Sequence, residues 1–305
     1  MLPFLDPTTL NGARLSALNL SPVVAGAWRM ADWQLTPAER LHWIEGCIER
    51  GLTSFDHADI YGNYQVEALF GEALALRPGL RQQMQLASKC GIKLMSSARP
   101  SHAIKSYDTT TAHVQASVEQ SLRALRTDHL DLLMIHRPDA LMDADALAET
   151  FERLRAAGKV LHFGVSNFSP AQFELLDSRI TLQTNQVECS PLHLDALHDG
   201  TLDQAQRLRR RPMIWSPLAG GRLFSATDER ALAVQTVLNE LAQAHGCSLT
   251  TVVLAWLMRH PSRPIPVIGS RRLSAADEAM AATRLQLSGE DWYRVWTAGA
   301  GHEVP

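Results

Sequence analysis

The sequence predicts an α/β protein of the (β/α)8 TIM-barrel class with a short N-terminal β-hairpin, as one domain over residues 1–305. Three observations lead there. Eight short, nearly continuous apolar runs punctuate the chain, and most are followed by a helix-like segment. Such runs fit parallel strands buried on both faces, with helices as crossovers. Eight units in 305 residues match a closed barrel better than an open sheet with a second domain. The open doubly wound fold is the alternative, but "AGAWRM" after the first run lacks the G-x-G-x-x-G spacing that marks it.

The elements follow in order. "TTLNGARLSALNL" reads as a hairpin turning at Asn11-Gly12. The strand candidates are "PVVAGAW", "LTSFDH", "MQLASK", "LDLLMIH", "VLHFGVS", "TLQTNQVE", "PMIWSP" and "RPIPVIGS". The clearest helices are Pro37–Arg50, Gln65–Leu76, Thr111–Leu125, Ala144–Ala157, Pro170–Asp177, Leu202–Arg209 and Leu249–Arg259. Thr36-Pro37, Ser169-Pro170 and Ser248 read as helix starts. Gly51 and Gly158 read as stops. "GEDWYRVWTAGAGHEVP" reads as a last helix and a tail, with Trp292 and Trp296 at a helical spacing that suits docking on the core.

Composition narrows the function. The net charge is −3 with no basic stripe, which argues against nucleic acid. "RLRRRP" is short and reads as a solvated helix end. No run of about 18 apolar residues predicts a membrane span. The N-terminal stretch lacks the basic and apolar regions of a signal peptide. The four cysteines, Cys47, Cys90, Cys189 and Cys247, are dispersed, so a reducing cytoplasm is expected. The histidines are scattered without H-E-x-x-H, and neither G-x-x-x-x-G-K-S nor G-x-S-x-G occurs. No metal is expected.

A barrel places its site at the C-terminal ends of its strands. There the sequence puts Asp56, with Tyr61 in the loop beyond, then Lys89, His136, Ser166-Asn167, Gln186 and Trp215-Ser216. Each alone has an ordinary reading as a cap, a surface residue or a packing residue. Together they make an acid catalyst. A tyrosine titrates near 10, too high for an efficient donor, and a neighbouring ammonium is expected to lower it. A carboxylate keeps the lysine charged, and a histidine orients a carbonyl oxygen. His57 and Asp59 read as polar neighbours of this set.

These residues carry a resemblance. "GLTSFDHADIYGNYQVEALFG", "ASKCG", "DHLDLLMIHRPD", "GKVLHFGVSNFS" and "TNQVECSPLH" are similar to the successive motifs of the aldo-keto reductases, in family order from Gly51 to Glu278. The loop "KCGIKLMSSARPSHAIKSYDTT" is most similar to a bacterial subgroup of reductases. The resemblance implies an oxidoreductase acting on carbonyl/alcohol pairs with NADPH/NADP+, or NADH as the alternative. Tyr61 would be the acid, Lys89 and Asp56 would tune it, and His136 would orient the substrate. Gly26, Ala27, Trp28, Ser166, Asn167, Gln186, Trp215, Ser216, Leu218, Gly220 and Ser270 would contact the cofactor, with Trp215 stacked on the nicotinamide. Where the family often has an arginine for the adenosine 2′-phosphate this chain has Ala275, and Ala279 replaces the usual asparagine. Arg271 and Arg272 are the substitutes, and Glu278 is an adenine contact. Trp28, Tyr64, Arg137 and the Ser96–Tyr107 loop would shape a pocket for a small carbonyl substrate. The partner expectation is that substrate alone, with no nucleic acid or membrane, in a monomer or small homo-oligomer. Two other readings stay open: a nicotinamide-binding regulatory subunit with little turnover, and a barrel aldolase using Lys89 as a Schiff base.

Overall fold

The computed structural model describes residues 9–10, 13–14 and 18–304. Eight parallel strands close into a barrel: β1 Val24–Gly26, β2 Ser54–Asp56, β3 Gln85–Cys90, β4 Leu130–Ile135, β5 Val160–Ser166, β6 Leu182–Glu188, β7 Met213–Trp215 and β8 Ile265–Ile268. Each pairs with the next in sequence, and β8 closes on β1 through Val267 with Val24 and Ile268 with Ala25. All eight expected strands are present. In the hairpin, Thr9 pairs with Arg14 and Leu10 with Ala13 in antiparallel register, while the expected turn at Asn11-Gly12 lies outside the described residues.

The helices are α1 Pro37–Glu49, α2 Val66–Leu74, α3 Thr111–Leu125, α4 Ala144–Ala156, α5 Pro170–Asp177, α6 Thr201–Leu208, α7 Glu229–His245, α8 Leu249–Met258, α9 Leu273–Ala282 and α10 Gly289–Ala300. The start signals act as read. Thr36 with Glu39, and Ser169 with Gln172, form reciprocal capping boxes, each followed by proline. Ser248 accepts from the Thr251 N–H. Gly51 and Gly158 follow α1 and α4 at φ 86° and 69°, where a side chain would be strained.

The structure adds α7 and α9 to the expected helices. For α7 the signals were present, since Asp228 caps its start and Gly246 ends it in the left-handed region. For α9 they were not: Arg272 stands at its N-cap without a side-chain cap bond. A small antiparallel ribbon, Ile92–Lys93 with Ser106–Tyr107, also stands on the connection from β3 to α3. The last helix docks as expected. Trp256 and Trp292 stack at 5.4 Å, and each indole N–H donates to the other residue's carbonyl at 3.0 Å, tying α10 to α8. Gly71 sets the contact of α2 with α3, because an added Cβ would lie 2.0 Å from the Ala124 carbonyl oxygen.

Strand alternation explains why a site forms at the mouth. Successive side chains point to opposite faces. One parity carries Phe55, Leu86, Leu133, Phe163 and Ile214 outward into the large cluster beneath the helices. The other carries Val24, Ala87, Leu132, Met134, Met213 and Val267 into a separate cluster inside the barrel, with Leu18 and Leu20 against it. Two residues on from that inner layer, the same parity reaches Gly26, Lys89, His136 and Trp215. Asp56, Ser166 and Gln186 join them from β2, β5 and β6.

The four cysteines are unpaired thiols, three of them buried. Among the described residues, no single helix is long and apolar enough to cross a membrane.

Candidate active site

The centre of the mouth is a buried ion pair. The Lys89 ammonium donates to both Asp56 carboxylate oxygens at 2.7 Å, to the His57 carbonyl at 2.9 Å and to Tyr61 Oη at 3.1 Å. Lys89 has three N–H donors, so Asp56 shares one of them between its two oxygens or the geometry alternates between them. Gln186 Nε2 also donates to Asp56 Oδ1, at 2.9 Å. Burial alone would lower the Lys89 pKa, but Asp56 and Tyr61 outweigh that and hold it above the ordinary value. A permanently charged Lys89 is unsuited to Schiff-base formation, which needs the free amine.

Tyr61 sits at the start of a tight turn. Gly62, Asn63 and Tyr64 all have positive φ, at 54°, 58° and 68°. Consecutive left-handed residues cost about 1–2 kcal/mol each where a Cβ is present. The turn brings the Tyr61 ring back over Lys89, 5.0 Å from ring centre to Nζ, and strain of this kind concentrates at functional sites. The expected lowering of the Tyr61 pKa is corrected. Burial raises it, and the opposing effect of Lys89 does not fully offset this. The phenol is therefore fully protonated near neutrality, with its oxygen already accepting from an ammonium.

His136 meets Tyr61 edge to face, with ring centres 5.9 Å apart. Burial, then the charges of Lys89 and Arg137, push its pKa well below the ordinary value, so the imidazole is neutral. Its Nδ1 is buried without a partner among the described residues, and the ring borders the cavity.

A second network stands across the mouth. Asn167, in the left-handed region at φ 60°, donates from Nδ2 to Ser166 Oγ at 2.8 Å and to the His136 carbonyl at 3.3 Å. Its Oδ1 accepts from Trp215 Nε1 at 3.0 Å, and Ser166 donates to the Gln186 carbonyl at 2.8 Å. These bonds fix the Ser166 and Asn167 side chains beside Trp215.

All of this borders one cavity of about 750 Å³. It is lined by Gly26, Trp28, Asp56, Tyr61, His136, Arg137, Ser166, Asn167, Gln186, Trp215, Ser216, Leu218, Gly220, Ser270 and Arg272 among the anticipated residues. Lys89 lies just beneath, touching Tyr61. Ala275 is in the wall as well.

Four anticipated residues are placed elsewhere. Ala27 is wholly buried, its N–H bonded to the Asp56 carbonyl at 2.9 Å. Tyr64 turns away to accept from the Leu94 N–H at 2.9 Å and to stack under Arg99. Arg271 borders a separate groove with Leu35, His42 and Trp43. Glu278 lies on α9 outside the cavity wall, and its carbonyl accepts from Thr251. Gln186, in the cavity wall, donates one of its two amide N–H groups to Asp56. The Ser96–Tyr107 loop reaches the cavity through Lys105 and Tyr107, while the sequence reading missed Arg29, Asn63, Ile92, Leu94 and Phe224, which also line it. Apart from Ile92, on the short ribbon, they sit in loops and turns, where no periodicity signals which side chains face inward.

Behind Tyr61, His57 is fully buried with neither ring nitrogen bonded, packed edge-on to Phe70 at 4.5 Å. Burial, with the Lys89 charge, pushes its pKa down to about 3. Nearby, Glu67 accepts from Ser88 at 2.6 Å, and burial pushes it up to about 6. Asp59 is raised well above the usual range by burial and by Glu67. The signs oppose. The His57 contribution is fully present above its unfolded pKa of about 6.5 and is lost as pH falls toward 3. The Glu67 contribution is present below its unfolded pKa of about 4.3 and is lost as pH rises through about 6. His57→Leu should therefore flatten the acid-side fall in the urea midpoint between about pH 6.5 and 4. An unchanged slope in that variant would assign the acid sensitivity to other groups.

Known proteins are similar to this chain in sequence and fold. The model of the Aldo/keto reductase family matches residues 22–298. Oxidoreductase YdhF of Escherichia coli (strain K12) is 50% identical over 288 residues, spanning 93% of this chain and 95% of that protein. A 6-dehydroglucose reductase of Agrobacterium fabrum is 42% identical over 290 residues, spanning 94% and 97%. Among solved structures, an aldo/keto reductase from Klebsiella pneumoniae in complex with NADP and acetate superposes with a TM-score of 0.74 at 26% identity, over 90% of each chain. The barrel, the motifs at its strand ends and these matches lead to one conclusion: the chain belongs to the aldo/keto reductase family of NAD(P)H-dependent oxidoreductases.

Proposed function

We propose that this protein is an NADPH-preferring carbonyl reductase in which Tyr61 gives a proton to the oxygen of an aldehyde or ketone. The observation that carries this reading is the buried contact of Tyr61 with the Asp56-paired Lys89, beside a neutral His136. The nicotinamide, when bound, supplies a hydride to the carbonyl carbon and is itself oxidised.

The chain's residues do the rest. His136, with its proton on Nε2, donates to the carbonyl oxygen and aims it at Tyr61 Oη. Hydride arrival makes that oxygen a far stronger base than a phenolate, so even a tyrosine of raised pKa transfers its proton downhill. Lys89 then stabilises the phenolate left behind, and Asp56 keeps the ammonium charged. Alcohol oxidation uses the same groups in reverse.

The cavity suits a dinucleotide. Trp215 offers an aromatic face beside Asn167 and Ser166, which would hold the carboxamide. Ser216, Ala219, Gly220 and Gly221 have positive φ, and the Ala219 and Gly221 N–H groups donate to the Ser216 and Leu218 carbonyls at 2.8 and 2.9 Å, so this segment is a preformed tight turn in the cavity wall that would lie along the pyrophosphate. Arg29 donates to the Gly220 carbonyl at 3.2 Å and ties this segment to the loop after β1. Arg272 enters the cavity wall beside Ser270, whereas Arg271 does not, so the 2′-phosphate role goes to Arg272. We place the enzyme in the cytoplasm, in keeping with its unpaired thiols.

The test is a titration with NADPH and NADH, read by tryptophan fluorescence and calorimetry. Tighter binding of NADPH is expected, and Arg272→Ala should weaken NADPH about tenfold or more while moving NADH little. No binding of either nucleotide by the folded protein would overturn the reading. Binding without turnover across a broad carbonyl panel would favour a regulatory subunit instead.

A further inference from the structure

We infer that the substrate carries an oxyanion, a carboxylate or a phosphate, and that Arg137 is its main anchor, with Lys105 as a second cation. This deepens the reductase reading and rests on it.

The barrel order divides the mouth in two. The segments after β7 and β8, with Arg29 bonded to one of them, form one side. The loops after β2, β3 and β4 form the opposite side, around Tyr61 and His136. Arg137 follows His136 directly, and Lys105 comes from the loop between the two strands of the ribbon Ile92–Lys93 and Ser106–Tyr107. Both border the cavity.

Their charges are unspent. Among the described residues, Arg137 makes no ion pair or side-chain hydrogen bond; its guanidinium only faces the Trp215 ring at 5.8 Å. It is half-buried, where an unpaired charge is disfavoured and a ligand oxyanion is correspondingly welcome. Lys105 is exposed and likewise unpaired. Among the described residues, the only carboxylate in the cavity wall is Asp56, and its oxygens are taken by Lys89 and Gln186.

This balance separates two substrate chemistries. A neutral polyol aldehyde brings hydroxyl groups that both donate and accept, and a site for it needs acceptors as well as donors. Here the charged groups left unpaired on the substrate side, Arg137 and Lys105, are donors only. A guanidinium suits the two oxygens of a carboxylate or phosphate in parallel bonds. Placed one residue beyond His136, it would hold the acidic group while the carbonyl meets Tyr61. The reaction is unchanged: the carbonyl carbon gains a hydride, the oxygen gains a proton and the acid group stays intact.

The experiment compares kcat/KM, with NADPH, for 4-oxobutanoate against butanal and for glyceraldehyde 3-phosphate against glyceraldehyde, with 6-dehydroglucose as a neutral polyol. Wild type, Arg137→Leu, Arg137→Lys and Lys105→Met are measured. In parallel, 4-hydroxybutanoate is titrated calorimetrically into the protein with NADP+. The anionic member of a pair should be preferred, and which pair shows it separates carboxylate from phosphate. Arg137→Leu should lower that preference about tenfold to a hundredfold, chiefly through KM. Arg137→Lys should keep part of it, and Lys105→Met should lose less. Equal efficiencies within both pairs, or a preference untouched by Arg137→Leu, would overturn the anion site and leave the reductase. If no carbonyl is reduced but 4-hydroxybutanoate binds in an Arg137-dependent manner, the anion site stands and the reductase reading falls. Neither turnover nor binding would overturn both.

Discussion

Tyr61→Phe is expected to lower kcat by at least about a hundredfold to ten-thousandfold, the usual range for a positioned general acid. NADPH binding should persist. The substitution removes one oxygen and keeps the ring that rests over Lys89 and meets His136 edge-on. Those contacts hold the turn at Gly62, Asn63 and Tyr64, so the strained backbone loses none of its packing. The lost oxygen is the one that Lys89 addresses at 3.1 Å. Steady-state kinetics and a calorimetric NADPH titration on the same sample separate the two effects. Wild-type turnover in the variant would remove Tyr61 from its role.

Lys89→Met should act on stability as well as on turnover. It leaves the Asp56 carboxylate buried with Gln186 as its remaining side-chain donor. Breaking a buried pair from one side costs about 3–5 kcal/mol, most of it the stranded charge. Adding Asp56→Asn removes that charge, so the double variant should unfold at a higher urea concentration than Lys89→Met alone. Turnover should stay low in both, since neither supports a phenolate at Tyr61. Urea unfolding of the two single variants and the double variant measures the coupling. Additive effects of the two substitutions would mean that the pair is not the buried unit its 2.7 Å contacts describe.

The barrel was legible because its strands are written twice. Apolar runs mark where they lie, and capping residues such as Thr36, Ser169 and Ser248 mark where the helices between them begin. The start of α9 lacks that punctuation and the helix was not anticipated, while α7 was passed over although Asp228 and Gly246 mark its ends. The mouth residues were legible for a related reason. A strand alternates with period two, so a polar residue in phase with the inner apolar layer stands at the rim. Lys89, His136 and Trp215 follow such apolar positions in phase, whereas Asp56, Ser166 and Gln186 follow Ser54, Gly164 and Thr184 and alternate instead with the outward residues Phe55, Val165 and Val187.

Loop residues have no such phase, and there the tertiary structure decided. It turned Tyr64 and Arg271 away, brought Arg29, Lys105 and Arg272 to the cavity, and left Glu278 on the outer helix. It also decided the protonation states. From spacing alone, Lys89 beside Tyr61 predicts a lowered phenol pKa, but the sign depends on how strongly the surrounding chain desolvates the phenol, which is set by packing between segments remote in sequence. The sequence by itself determined the family, the barrel and the residue types at its mouth, because these follow from local periodicity and short motifs. Burial, charge balance and the side chains that face the cavity were decided by packing between distant segments, which no local pattern encodes.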